Sequence, residues 1–380
     1  MKIVIAIDSF KGSLSSLEAS HAVSCGIQKA GLDATIRSYP IADGGEGTTD
    51  ALVSGLNGKI QHMMVTGPLG EPISAYYGIL PDQTVVLEMA SCAGLPLVPS
   101  DLRNPLHTTT YGVGEMIGDA IQRGYRHFIL GIGGSSTNDG GVGMLQALGY
   151  DFLDATNNSI PFGAIGLSKL HHIDDRHALP ALKDCTFRVA CDVTNPLCGP
   201  LGCSQIFAPQ KGAAPSMIPL MDSWLKHYAD LTKKLYPESD PDLPGAGAAG
   251  GLGFALSYYL KASLYSGVSL ILDAIHLEAA IKDCDLVITG EGCLDGQSLM
   301  GKAPVGVARL AKKHHKPVIA FSGSVTPDAS LCHQVGIDAY FPILRKPDAL
   351  DALLDPGAAS SNLTAASEEV FRLLQLNLPK

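Results

Sequence analysis

Positive charge is scarce in this chain of 380 residues. Lys and Arg number 27 against 37 Asp and Glu, a formal net charge of −10. That balance excludes nucleic acid and anionic membrane as partners on global electrostatics, and an anionic ligand would need a local basic pocket. Long apolar runs are also missing. None approaches the ~20 residues that span a bilayer, and the apolar run near the start, Ile3 to Ile7, is too short for a secretory signal. Nine cysteines occur without a single Cys-x-x-Cys pair. Cys185, Cys191, Cys198 and Cys203 fall close together, but without paired spacing they read as buried thiols, and no structural metal is expected. Free thiols with no export signal place the chain in the cytoplasm. Aromatic bulk is thin, with one tryptophan.

Glycine is abundant. There are 42, in a chain that is 46% hydrophobic and 17% charged, a composition that suits an α/β enzyme with many strand-to-helix turns. The length exceeds one typical domain and predicts two. Residues 3–7 form a short apolar β-branched run, a buried parallel strand, followed by Asp8-Ser9-Phe10-Lys11-Gly12-Ser13. A helix starts near Ser16 and stops at Gly31, and a second strand over 34–40 leads into the acidic glycine loop Ile41 to Thr48. From about 60 to 100, short strand-like pieces (62–66, 74–80, 84–89) alternate with Gly and Pro and predict mixed sheet. Helices are expected over 108–123 and 216–236, strands at 128–130 and 187–193, and an irregular stretch over 150–185. Regular spacing returns with strands ending near Thr289, at Pro317 to Phe321 and at Ala339 to Leu344, and a closing helix over 361–376.

The first two units match the last three in character. The fold class is therefore α/β: a five-stranded flavodoxin- or Rossmann-like parallel-sheet domain built from both chain ends (1–60 plus 284–380), with a mixed α/β domain (61–283) inserted. An active site is expected in the interdomain cleft.

One stretch organises the reading. Gly131 to Gly143 runs GIGGSSTNDGGVG between an apolar strand, Phe128-Ile129-Leu130, and a helix marked by Met144, Leu145 and Leu148. A glycine-rich turn into a helix start aims N–H groups at one spot and favours an anion. A phosphate cradle is the functional reading, and a tight turn with an ordinary cap the bland one. Two other glycine patterns read as decoys. Gly245 to Gly250 fits the dinucleotide fingerprint, but Pro241-Asp242-Leu243-Pro244 ahead of it is no strand. Gly296 to Lys302 fits a P-loop, but Ala303 stands where Ser or Thr would bind Mg²⁺, and the expected end of the strand near 289 leaves the loop too long.

Acids recur at strand ends: Asp8, Asp43, Glu46, Asp139, Asp192, Glu291 and Asp295, with Lys11, Lys211 and Lys302 beside some of them. Phosphoryl transfer needs such an inventory. Cations neutralise phosphate, acids hold Mg²⁺, and one carboxylate accepts the proton of the attacking hydroxyl. Each acid alone reads as a cap or turn residue; the recurrence raises the group above that.

Six segments, DSFKGS at 8–13, IADGGEGT at 41–48, GIGGSSTNDGG at 131–141, CDVTNPL at 191–197, FAPQKG at 207–212 and TGEGCLDGQSLMGKAP at 289–304, together resemble the bacterial glycerate kinases of the first type, which are not P-loop proteins. The resemblance runs in order along essentially the whole chain. It implies ATP-dependent phosphorylation of D-glycerate, to 2-phosphoglycerate rather than 3-phosphoglycerate, and a Rossmann-like domain carrying an inserted one. On these positions Gly133, Gly134, Ser135, Ser136 and Asn138 are expected to hold nucleotide phosphates. Asp192 is expected to act as general base, and Lys11 to stabilise the transferred group. Asp8, Asp43, Glu46, Glu291 and Asp295 are expected around Mg²⁺ or substrate hydroxyls. Lys211 or Lys302 is expected to meet the glycerate carboxylate. The competing reading is a non-catalytic nucleotide- or metabolite-binding protein on the same scaffold. Oligomeric state is not legible in the sequence.

Overall fold

The structure, a computed structural model, describes residues 1–42, 44–45, 47–296 and 302–376. In chain order the strands are β1 (Lys2–Ile5), β2 (Thr35–Ser38), β3 (Lys59–Thr66), β4 (Pro72–Ile79), β5 (Thr84–Glu88), β6 (His127–Gly131), β7 (Asp151–Leu153), β8 (His172–Asp174), β9 (Thr186–Ala190), β10 (Ser263–Tyr265), β11 (Leu286–Leu294), β12 (Val318–Val325) and β13 (Ala339–Pro342). The chain divides into two compact units. One comprises Met1–Asp43, Asp50–Leu56 and Val268–Lys380; the other comprises Gly44–Thr49 and Asn57–Gly267.

The first unit holds a five-stranded sheet in the order β13-β12-β11-β1-β2, parallel throughout. Counted within the unit the order is 2-1-3-4-5, the flavodoxin arrangement, whose topological switch point lies between β1 and β11. Ile3, Ile5, Ile7, Ile288 and Phe321 fill one core. The helix Ser16–Lys29 is started by a capping box: Ser15 Oγ accepts from the Glu18 N–H while the Glu18 carboxylate accepts from the Ser15 N–H. The last helix, Pro356–Leu374, is tied to it by Thr364 and Ser367, whose hydroxyls donate to the carbonyls of Ala22 and Val23. The two chain ends are thus locked together inside one unit.

The second unit holds a six-stranded mixed sheet, β10-β9-β6-β5-β4-β3. The hairpins β3–β4 and β4–β5 are antiparallel, whereas β5, β6, β9 and β10 run parallel. Phe128 and Phe187 stack across neighbouring strands at 4.8 Å between ring centroids, inside a core that also takes Tyr228 and Phe254. An α/β sheet of mixed sense set into a parallel-sheet unit made from both chain ends is the fold class read from the sequence.

Three local expectations need correction. The span 150–185 is not irregular throughout: β7 and β8 form an antiparallel pair, and Ala164–Leu167 is helical. β10 was not foreseen, being three residues long and completed only by its pairing with β9. β11 does not stop near Thr289 but runs to Leu294, because β12 continues beside it and pairs Gly290 with Phe321 and Leu294 with Val325. The ladder overrides the weak strand preference of glycine. Gly290 is also sterically required: a Cβ there would lie 2.0 Å from the Phe321 carbonyl oxygen.

Candidate active site

In the second unit, several of the expected site residues gather at the carboxyl ends of the parallel strands. The loop after β6 is held from several sides. Ser136 donates both its N–H and its hydroxyl to the Ala93 carbonyl, each at 2.9 Å. Asp139 is fully buried. Its carboxylate accepts from the Thr110 N–H and hydroxyl, both at 2.8 Å, and from the N–H groups of Gly141 (3.1 Å) and Gly143 (3.3 Å). Burial pushes its pKa up, against the opposing pull of these donors. The helix that follows, Val142–Ala147, is short, and Asp139 occupies its N-terminal N–H groups. The anion that a helix start attracts is here the protein's own carboxylate.

Beneath this loop lies Lys211, 2% exposed. Its ammonium donates to Ser135 Oγ at 2.7 Å and to the Thr137 carbonyl at 2.6 Å. Burial pulls its pKa down to about 8 despite the nearby Asp139 carboxylate. Asn138 donates to Ser204 Oγ at 2.9 Å. Among the described residues, the Asn138 carbonyl oxygen and the Thr137 hydroxyl are buried without a hydrogen-bond partner. Only Gly133 and Gly134 come to the surface, with Ser135 at the rim.

Neighbouring strands add to the same edge. Asp192 follows β9, is exposed, and accepts the Gly267 N–H at 2.8 Å. Glu88 ends β5 and accepts from the N–H groups of Gly47 (3.2 Å) and Thr49 (2.6 Å). The sequence reading missed Glu88 because TVVLEM reads simply as a strand end, yet this buried carboxylate anchors the backbone at Gly47 and Thr49. The GAGAAG stretch proves to be a support. No strand precedes it. Gly250 donates no side chain because a Cβ there would sit 2.1 Å from the Thr137 carbonyl, and its own carbonyl accepts the Gly140 N–H at 2.9 Å.

In the first unit, a cavity of about 300 Å³ opens at the carboxyl ends of β1, β11 and β12, at the switch point where open α/β sheets bind ligands. Asp8, Lys11, Glu291 and Lys302 line it. Asp8 accepts the Ser9 N–H at 2.7 Å. The Lys302 ammonium stands 3.7 Å from Glu291 and 3.6 Å from Asp295, between the two carboxylates.

The whole chain, and not one motif, carries the likeness to known proteins. It matches the model of the Glycerate kinase family over residues 3–375. The chain belongs to the glycerate kinase family. It is 49% identical over 379 residues to the glycerate 2-kinase of Escherichia coli K12, covering 100% of this chain and 99% of that protein. It is 47% identical to the glycerate kinase of Bacillus subtilis 168, with 96% of each chain covered. The crystal structure of a Salmonella typhimurium LT2 protein assigned as glycerate kinase 2 superimposes with a TM-score of 0.91 at 46% identity, covering 99% of this chain and 98% of that one. The chain is therefore an enzyme of the kinase class.

Within this glycerate kinase fold the expected site residues fall into two groups. Gly133, Gly134, Ser135, Ser136, Asn138 and Lys211 share the loop after β6, and Asp192 lies after the adjacent strand. Asp8, Lys11, Glu291, Lys302 and, through Lys302, Asp295 share the first unit's cavity. Their surroundings differ. Ser136 and Asn138 are buried, and their side chains donate to the Ala93 carbonyl and to Ser204 Oγ. Of the two lysines expected at the glycerate carboxylate, Lys211 is buried and donates to Ser135 and Thr137, whereas the Lys302 side chain is 34% exposed. Asp43 and Glu46 lie outside the described residues. The strand-length argument against a P-loop falls with the longer β11, while Ala303 and Pro304 at the helix start still speak against it. Among the described residues no helix is long and apolar enough to cross a membrane.

Proposed function

We propose that this enzyme transfers the γ-phosphate of ATP to the 2-hydroxyl of D-glycerate, releasing ADP and 2-phosphoglycerate, in the cytoplasm. The family match along the whole chain carries this reading. The 49% identity to a glycerate 2-kinase supports the choice of hydroxyl. The exposed backbone of Gly133 and Gly134, with Ser135 at its rim, receives phosphate oxygens, and the buried Lys211 charge beneath them favours an anion. Asp192 takes the proton from the attacking hydroxyl as the new O–P bond forms and the bond to the β-phosphate oxygen breaks. Lys11 stabilises charge on the transferred group, and Lys302 meets the glycerate carboxylate.

Mg²⁺ fits the donor set. Among the described residues no three metal-ligating side chains gather, and Mg²⁺ needs only one or two carboxylates, with phosphates and water completing its shell. Asp8 and Glu291 would hold it, with Asp295 beside them. When bound, the ion neutralises phosphate charge. The test is ADP release from MgATP. Release is expected with D-glycerate and not with L-glycerate. Nucleotide binding without glycerate-dependent release would instead support a binding protein on this scaffold.

A further inference from the structure

The first unit's cavity has two chemically distinct sets of lining residues. One is Asp8, Lys11, Glu291 and Lys302. The other is Phe10, Ile343, Leu344, Leu350, Leu353 and Leu354. Two of these leucines are left open to solvent: Leu344 is 42% exposed and Leu350 68%. Exposed apolar surface at the mouth of a cavity marks a place that an apolar partner covers.

A three-carbon hydroxy acid does not match that wall. Nearly every heavy atom of glycerate is polar or bears a polar atom, so it gains nothing from six apolar side chains. It would also leave a cavity of about 300 Å³ largely unfilled, since ligands of drug size occupy pockets from roughly that volume upward. A purine nucleoside matches it. The base offers two flat apolar faces and a polar edge, and Ser324 and Asn362, which also line the cavity, carry hydrogen-bonding groups suited to such an edge. The cavity lies at the carboxyl ends of a parallel sheet beside its switch point, where nucleotides bind in open α/β folds.

We propose that this cavity holds the nucleoside of the phosphate donor, with the base against the Leu344–Leu350–Leu354 wall. This rests on the kinase reading above and adds the location of the base, which neither the motifs nor the glycine loop assigns. Nucleotide selectivity is then set on the first unit, by residues of β13's following loop and the last two helices.

The test uses the full-length enzyme and Leu350→Glu, at a position exposed enough to leave the fold intact, with Leu344→Glu as a second variant. Dissociation constants for ATP, adenosine and inorganic tripolyphosphate are measured by titration, and KM for D-glycerate by ADP release. Losing one apolar contact of this size is expected to weaken both ATP and adenosine about tenfold or more. Tripolyphosphate binding and the KM for D-glycerate stay as in the parent. A raised KM for D-glycerate with unchanged ATP binding would overturn the proposal and make this the acceptor's pocket; no change in either would overturn it as well. Because binding is read without turnover, adenosine held by the cavity in a protein that does not phosphorylate glycerate would uphold the inference and sink the kinase reading instead.

Discussion

Lys211→Met is expected to give a folded enzyme whose kcat falls by about a hundredfold or more, the range seen when one preorganised stabiliser of developing charge is removed. The ammonium is buried and donates to Ser135 Oγ and the Thr137 carbonyl, so it both shapes the loop and supplies the positive charge beneath it. Methionine keeps the volume and removes the charge. Stability should change little, because the desolvation cost of a buried ammonium disappears as its two hydrogen bonds and its attraction to Asp139 are lost. The pH profile separates charge from shape. With a pKa drawn down to about 8, Lys211 loses its proton as pH rises through that value, yet the neutral amine retains two N–H donors for its two acceptors. The parent enzyme should therefore lose activity above about pH 8, and the methionine variant should lack that limb. The sign for stability is opposite. The folded-state pKa lies below the unfolded 10.5, so between about 8 and 10.5 the unfolded chain binds more protons, and this group's contribution to stability rises with pH. Falling activity without falling stability in that window is the expected signature. A variant with parental kcat would remove Lys211 from the site.

Asp192→Asn is expected to lower kcat by ~10²-fold or more while nucleotide affinity is kept. Asparagine retains the side-chain oxygen that accepts the Gly267 N–H, so the turn after β9 keeps its anchor, and what is lost is the ability to take a proton. Steady-state kinetics with titrated ATP binding distinguishes the two. If kcat stays near the parental value, Asp192 is an anchor for Gly267 and the base must be sought elsewhere. If kcat and nucleotide affinity fall together, the residue organises the loop rather than the proton transfer.

Much of the architecture could be read from periodicity alone. The β-branched apolar runs at Ile3–Ile7 and Val287–Ile288, each leading to an acid, identify parallel strands, and their recurrence at both ends of the chain separates one unit from the inserted sequence. What escaped the reading depended on partners distant in sequence. β10 exists because β9 offers it a ladder, and β11 passes its glycines because β12 runs alongside. The site shows the same limit. Glycine-rich, polar composition singled out the loop after β6, but composition could not tell inward from outward. Ser136, Asn138 and Asp139 turn in and lock the loop, and Lys211 lies under it, while only Gly133, Gly134 and the edge of Ser135 are presented. Glu88 carried no local signal, since its role as acceptor for Gly47 and Thr49 is set by contacts across 41 and 39 positions of sequence. The GAGAAG segment illustrates the converse. A pattern that matches a nucleotide fingerprint is used here for close backbone packing, where Gly250 meets Thr137.

The most direct test of the account is phosphorus NMR of the products formed from MgATP and D-glycerate by the purified enzyme. The account predicts ADP and 2-phosphoglycerate in equal amounts, with no turnover of ATP when glycerate is left out. Phosphate on the 3-hydroxyl would contradict the assigned regiochemistry, and ATP that remains intact with D-glycerate present would contradict the kinase itself.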